Sequence, residues 1–265
     1  MDKRLSIYVS SPDSYSDVLE VYLRCFKKYW SDCPYKFILT TNSRNYEGVT
    51  CICNNKPGDT WVERTIAAYS HITSKYILMM CDDILINGKI DNEKIECILD
   101  YMDHNDIKFC RLKPVKQGEI ILEFPFLNRV SKQMPYAVNL QIGIFRMDYF
   151  KEVLGDGTLS AWDIENKLNT EASIAEDCIS SDVISANSIV IPFIHGVDKG
   201  KWYRKATSFI KIEFPDYKFE RPVLPLFTEL KNYTIGLIQY NLSPRRRKRI
   251  KEMAKKMGVG FASKN

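Results

Sequence analysis

Apolar and polar positions alternate in blocks along the first third of the chain. "LSIYVSS" (residues 5–11) alternates and stops before Pro12, which suits a first strand. The following "SDVLEVYLRCFKKYW" (16–30) carries Val18, Leu19, Tyr22, Leu23 and Phe26 at helical spacing. "YKFILTTN" (35–42) and "VTCICNN" (49–55) read as a second and a third strand. "DTWVERTIAAYSHI" (59–72) places Trp61, Thr65, Ala68, Tyr69 and Ile72 on one helical face, and leads into the wholly apolar strand Tyr76–Cys81. A short apolar run bounded by polar residues is a strand buried on both faces. Strand and helix in alternation predict an α/β fold with a mostly parallel, mixed sheet flanked by helices, and ligands at the carboxyl ends of its strands. The polar residues that close those strands, Ser10, Ser11, Thr41, Asn42, Asp82 and Asp83, would then share one rim.

The pattern changes in the second half. "FCRLKPV" (109–115), "GEIILEF" (118–124), "NLQIGIFRM" (139–147) and "SIVIPFI" (188–194) read as strands, with helices over "DYFKEVL" (148–154) and "WDIENKLNTEASI" (162–174). No repeat or low-complexity linker divides the chain. It reads as one continuous domain over 1–205, then an extension over 206–265 that is irregular and rich in aromatics and prolines before it ends in a basic helix.

Charge sharpens this division. The net charge is +5, yet "RRRKRIKEMAKK" (245–256) alone holds eight basic residues and one acid, so the remainder is close to neutral. A nucleic-acid-binding body would spread its basic charge over a folded face, so no specific nucleic-acid partner is expected. The stretch "LSPRRRKRIKEMAKKMG" has Ser243 as a cap and Pro244 at the first helical position, with Ile250, Met253, Ala254 and Met257 at helical spacing. Residues 244–257 therefore suit an anionic membrane surface, or else form a solvated basic helix. At 265 residues and 45% hydrophobic the chain can bury a full core, and no window is long and apolar enough to span a bilayer. The N-terminal apolar segment is too short for a signal sequence, and the eight cysteines include no CxxC pair. These features predict free thiols and a cytoplasmic protein, placed in solution or on the inner face of the membrane.

The candidate chemistry starts at "KYILMMCDDILING" (75–88), where two acids directly follow the buried strand. Adjacent carboxylates repel unless a cation or hydrogen-bond donors compensate them. A solvated turn is the plain reading, and a hard divalent cation, Mg²⁺ or Mn²⁺, shared with substrate phosphates is the functional one. No Walker loop, GxGxxG, HExxH or GxSxG occurs to point elsewhere. Asp59 and Arg64, on either side of Trp61, suit nucleotide or diphosphate contacts, and equally a helix cap and a solvated charge. Trp162 could staple a helix capped by Ser160 or Asp163, with Glu165 as ordinary first-turn charge, or could hold a sugar face beside a proton-accepting carboxylate.

Three stretches together resemble the GT-A glycosyltransferases, and within them the enzymes of bacterial surface-polysaccharide (capsule and O-antigen) synthesis. "LMMCDDILI" occupies the context of the family's acidic D-x-D or x-D-D signature, with Cys81 where the first acid of D-x-D would stand. "NLQIGIFRMDYFKEVLGDGTLSAWDIENKL" (139–168) is similar to a segment in which a strand of the type LQ-x-x-I-(W/F)-R leads to a helix and then S-x-W-(D/E)-x-E, with Gln141, Arg146, Trp162, Asp163 and Glu165 in the matching places. "HGVDKGKW" (195–202) is similar to the His…Gly…Lys…Trp closing motif, although its glycines stand at 196 and 200 rather than midway.

The resemblance implies a GT-A-like fold and transfer of a sugar from a nucleotide-diphosphate sugar to a saccharide or lipid-linked acceptor. It implies a divalent metal on Asp83 and His195, and Glu165 or Asp163 as the catalytic acid/base, with Ser10, Asp59, Arg64, Asp82, Trp162 and Lys201 contacting the donor. Inversion by single displacement is slightly favoured over retention. Two other classes compete. A nucleotidyltransferase would carry a glycine-rich basic loop after the first strand, where "VSSPDSYSD" has neither glycine nor base. A carbohydrate-binding module would need no lysine to grip a diphosphate.

Overall fold

The computed structural model describes residues 2–53, 56, 58–230 and 234. The basic helix expected over 243–257 lies outside the described residues. Contacts divide the chain into a unit over 1–196 and a second over 197–265.

The first unit runs β1 (Asp2–Ser10), α1 (Ser16–Tyr29), β2 (Tyr35–Thr41), β3 (Thr50–Cys53), α2 (Trp61–Ala67), β4 (Tyr76–Cys81), β5 (Ile84–Ile86), α3 (Asn92–His104), β6 (Phe109–Arg111), β7 (Glu119–Ile120), β8 (Leu127–Ser131), β9 (Ile142–Arg146), α4 (Met147–Leu154), α5 (Ala161–Ile174), β10 (Ile179–Ala186) and β11 (Phe193–His195). Nine strands form one sheet in the order β3-β2-β1-β4-β9-β6-β10-β8-β7. β1, β2, β3 and β4 are mutually parallel, and β6 pairs parallel with β10, whereas β9 runs antiparallel between β4 and β6. This mixed, helix-flanked α/β sheet is the fold class expected from the sequence.

Alternation along the central strands sends side chains to two helical layers. On one face Tyr8, Ile38, Ile77, Met79 and Phe145 pack with Val62 of α2, Phe150 of α4 and Ile164 of α5. On the other, Tyr22 and Phe26 of α1 stack on Phe37 of β2, and the Tyr22 hydroxyl donates to Met80 Sδ at 3.5 Å. Sheet faces covered on both sides explain why β4 is apolar throughout and why Leu5, Ile7, Tyr8 and Val9 of β1 are all fully buried. Gly143, in the middle of β9, is required by packing. A Cβ there would drive into the fully buried Phe109 ring and stand 3.0 Å from the Cys110 carbonyl.

The second half departs from the sequence reading in several places. α3 stands where the sequence pattern predicts no element, with Ile95, Ile98, Leu99 and Met102 as its buried stripe, and so does β10 over "ISSDVISA". The strand expected over 188–194 survives only as Phe193–His195, because Pro192 has no N–H to give a ladder and a turn precedes it. The strand expected over 118–124 shrinks to Glu119–Ile120 at the sheet edge. Beyond it the chain turns, with Phe124 N–H donating to the Ile121 carbonyl at 3.1 Å before Pro125.

The second unit contains β12 (Val197–Asp198) and β13 (Lys201–Trp202), which pair antiparallel, and α6 (Arg204–Glu213). The stretch read as irregular after Lys205 thus holds most of a helix, anchored by Ala206 and Ile210. Among the described residues no helix is long and apolar enough to cross a membrane.

Candidate active site

The carboxyl end of β4 is the centre of a polar rim. Ser11, just past β1, donates its hydroxyl to Asp82 Oδ2 at 2.5 Å. Beside it Arg64, carried by α2, donates Nε to Ser10 Oγ at 3.2 Å and Nη1 to Asp59 Oδ1 at 2.7 Å. Asn42, past the end of β2, donates Nδ2 to the same Asp59 oxygen at 2.6 Å. The helix is set by its own start: Thr60 and Glu63 form a reciprocal capping box, with Glu63 N–H donating to Thr60 Oγ1 at 3.2 Å and Thr60 N–H to Glu63 Oε2 at 2.7 Å. Three of the expected donor-binding residues, Ser10, Asp59 and Arg64, therefore form one hydrogen-bonded cluster, and the charge of Arg64 acts on the fourth, Asp82. The Arg64–Asp59 pair is almost fully buried, at 6% and 2% side-chain exposure, so loss of either partner would strand a charge and cost about 3–5 kcal/mol. This Arg64 is part of the framework of the rim rather than a solvated charge.

Burial is the main influence on Asp82. Only 9% exposed, its carboxyl is pushed up from 3.8 to about 6, against the Ser11 hydrogen bond and the Arg64 charge. A raised folded-state value means that ionising Asp82 costs more in the folded than in the unfolded chain, so its contribution falls as pH rises from about 4 through about 6. In chelator-treated protein, Asp82→Asn should accordingly raise the melting temperature at pH 7.5 and leave it nearly unchanged at pH 3.5. A lower melting temperature at pH 7.5 would show that the ionised form is stabilised in the fold.

The strand reversal at β9 completes the rim. Because β9 runs antiparallel to β4, with Met80 opposite Ile142, its entrance lies beside the exit of β4. Leu140 and Gln141 are at that entrance, and Leu140 N–H donates to Glu165 Oε1 at 2.8 Å. α5, whose N-cap Ser160 accepts from Asp163 N–H at 3.2 Å, projects Glu165 toward this segment from its second turn. Burial raises the Glu165 carboxyl above the ordinary range, opposed by the Leu140 N–H and the charges of Lys113 and Arg111. The Cys81 thiol donates to the Leu140 carbonyl at 3.4 Å. Burial raises it far above the thiol range, with further contributions from Asp83 and Asp82.

The backbones on either side of the small β5–β11 sheet bring the chain at Asp83 beside that at His195 and Gly196. His195 pairs with Ile84, and Gly196 N–H donates to the Asp83 carbonyl at 2.7 Å. His195 keeps an exposed edge, yet the protein around it lowers its value to about 4, with Lys113 adding a smaller effect, so the imidazole is neutral at pH 7. Among the described residues no three His, Cys, Asp or Glu side chains converge as a metal-holding group.

The other expected residues serve differently. Asp163 accepts the Ser160 hydroxyl at 2.6 Å and completes the cap of α5. Trp162 is 56% exposed on the first turn of that helix. Arg146 ends β9 opposite Tyr76, at the other end of the strand from Gln141, and is paired with Asp148 and Asp106. Lys201 is exposed on β13 of the second unit. A cavity of about 240 Å³ lined by Met134, Tyr149, Leu168 and Val183 contains none of the rim residues named above.

Sequence reasoning missed Lys113, two residues after β6 at this same rim, which donates Nζ to Gln141 Oε1 at 3.2 Å. Its signal is the basic residue that closes "FCRLK", a single lysine that no motif of the first half of the chain points to.

No family model matches the chain, and no curated protein matches it. Among solved structures it is similar to S. aureus TarS, at a TM-score of 0.44 and 10% identity over 98% of this chain and 44% of that one. It is also similar to S. aureus TarS 1–349 in complex with UDP, at 0.43 and 12% over 69% and 60%, and to the bifunctional IspDF from Campylobacter jejuni, at 0.37 and 9% over 62% and 47%. The chain spans less than two thirds of each of these structures.

Proposed function

We propose that this chain is a glycosyltransferase that moves a sugar from a nucleotide-diphosphate sugar to a hydroxyl of a saccharide acceptor, lipid-linked, in bacterial surface-polysaccharide synthesis. The observation that supports the reading is that Asp82 and Asp83 follow a buried strand whose exit lies beside the entrance of β9, and that the Leu140 N–H at that entrance holds Glu165. In an inverting displacement Glu165 takes the proton of the acceptor hydroxyl as its oxygen bonds to the anomeric carbon, and the bond from that carbon to the diphosphate oxygen breaks. A carboxyl raised by burial and held by one N–H is a stronger base than an exposed glutamate.

Asp83 and the neutral His195 suit a Mg²⁺ or Mn²⁺ ion, which needs only one or two protein ligands when substrate phosphates supply the others. Such an ion would neutralise the charge that develops on the leaving diphosphate. Ser10, Asn42, Asp59 and Arg64 frame the end of the rim where the nucleotide would lie. The role of Lys201 rests on the sequence resemblance alone.

A thermal-shift screen of nucleotide sugars with and without Mn²⁺ tests the proposal, because a ligand at 100 times its Kd stabilises the fold by about 2.7 kcal/mol. A Mn²⁺-dependent rise with one nucleoside diphosphate class is expected. Nucleoside triphosphates run beside them provide the contrast, and a rise with these alone would favour nucleotidyl transfer instead.

The basic tail belongs to the same reading, since it would hold the site near lipid-linked acceptors. Each basic residue near an anionic surface contributes about 1 kcal/mol, weakened by salt. Deleting residues 244–265 should therefore release the protein from anionic liposomes without stopping transfer to a soluble acceptor analogue. Binding that survives the deletion would place the anchor elsewhere.

A further inference from the structure

Lys113 has no part in the roles set out above, yet it is tied to the residues that carry them. Its half-buried ammonium donates to Gln141 Oε1 at 3.2 Å, and the neighbouring Leu140 N–H holds Glu165 Oε1 at 2.8 Å. The lysine's own backbone is fixed as well. Arg111, only 3% exposed, donates Nε to the Lys113 carbonyl at 3.1 Å and Nη1 to the Tyr136 carbonyl at 2.6 Å. Tyr136 is held in the left-handed region at φ +56°, and its N–H donates to Asn169 of α5 at 2.6 Å, one turn beyond Glu165. β6, the segment 136–141 and α5 are thereby laced together around a single carboxylate. The ionisable groups that act on Glu165, or on which it acts, are Lys113 and Arg111 from the end of β6 and the Cys81 thiol from β4. The charge of Lys113 also reaches Cys81 and His195.

We propose that Lys113 is a positioning residue of this site: its ammonium, gripped by the Gln141 side chain, steadies the segment whose Leu140 N–H holds Glu165 and supplies positive charge to that carboxylate. Arg111 contributes charge too, but it is built into the fold through two carbonyls, so its removal would disturb the backbone as well as the field. Lys113 acts through a side-chain tether and can be altered without removing a backbone anchor. The inference rests on the reading of Glu165 as the base, and assigns to Lys113 the balance between burial, which favours the neutral carboxyl, and ionisation, which the base needs.

The test is direct titration of Glu165 in the full chain labelled with ¹³Cδ-glutamate, its resonance assigned by its loss in Glu165→Gln. Lys113→Met keeps the length and removes the charge, and should raise the Glu165 midpoint by about one pH unit, the lower end of the effect of a nearby opposite charge. Lys113→Arg should restore it. Gln141→Leu, which keeps the charge but cuts its tether, should move the midpoint the same way by less, and serves if Lys113→Met does not fold. An unmoved Glu165 midpoint in the folded variants overturns the proposal. The measurement follows the carboxylate proton whatever reaction it serves, so ordinary turnover in Glu165→Gln would remove the base reading without altering this outcome.

Discussion

Glu165→Gln should lower turnover by roughly 10²-fold or more while leaving donor affinity nearly unchanged, because general-base catalysis contributes on that scale. The substitution is a clean one in this setting. A glutamine keeps an oxygen to accept the Leu140 N–H, so α5 and the entrance of β9 stay joined, and only the ability to take a proton is lost. The pH profile adds a second signature. Burial raises the Glu165 carboxyl, so the wild-type rate should fall at a higher pH than an exposed glutamate would give as the medium is acidified, and this limb should vanish in the variant. Steady-state rates at saturating donor across the acid range check both. Ordinary turnover in Glu165→Gln would move the role to another acid of the rim.

Asp83→Ala should nearly abolish transfer and metal-supported nucleotide binding, with the fold intact. Asp83 meets β11 through its backbone, the Gly196 N–H donating to its carbonyl, and that hydrogen bond survives truncation of the side chain. Loss of the carboxylate removes the hard oxygen donor, and His195 alone is a poor site for Mg²⁺ or Mn²⁺. Wild-type protein with excess chelator should show the same loss, reversed by added Mn²⁺. Full activity in chelator would sink the metal assignment, and a lowered melting temperature in Asp83→Ala without metal would show that the side chain supports the fold. Titration calorimetry with Mn²⁺ and the nucleotide selected by the thermal screen separates the two.

The first 81 residues were legible because β2 and β4 are buried on both faces and α1 is amphipathic, so one period or the other stands out, and only β3, at the sheet edge, is partly covered. Tyr76–Cys81 is the clearest case, and its position fixed Asp82 and Asp83 before any geometry was known. The second half was harder for a physical reason. Its strands are short or lie near the sheet edge, so "ISSDVISA" mixes polar and apolar residues, and the apolar run 188–194 is broken by Pro192. Glu165 could be singled out from "WDIE", but its partner could not. Leu140 acts through a backbone N–H, and no side-chain pattern records that. Arg64 and Asp59 were open between nucleotide contact and helix end, because burial of the pair depends on how closely α2 settles against β1 and β2.

The reversed strand β9 bears on how the molecule comes into being. It wedges between β4 and β6, both of which leave the ribosome before it, so those two strands have no bond to each other and cannot close the sheet alone. A nascent chain that has reached β6 can assemble only the parallel block of β1 to β4. The centre must wait for pairings that span 62 residues at the least, from Met80 to Ile142, and loop closure over such separations is what slows a folding reaction. Until then the flank of β4 is an unpaired apolar edge, open to another chain. The wait leaves the growing protein most prone to aggregate during synthesis of residues 82–146, and a slower codon schedule over that stretch would lengthen the exposure.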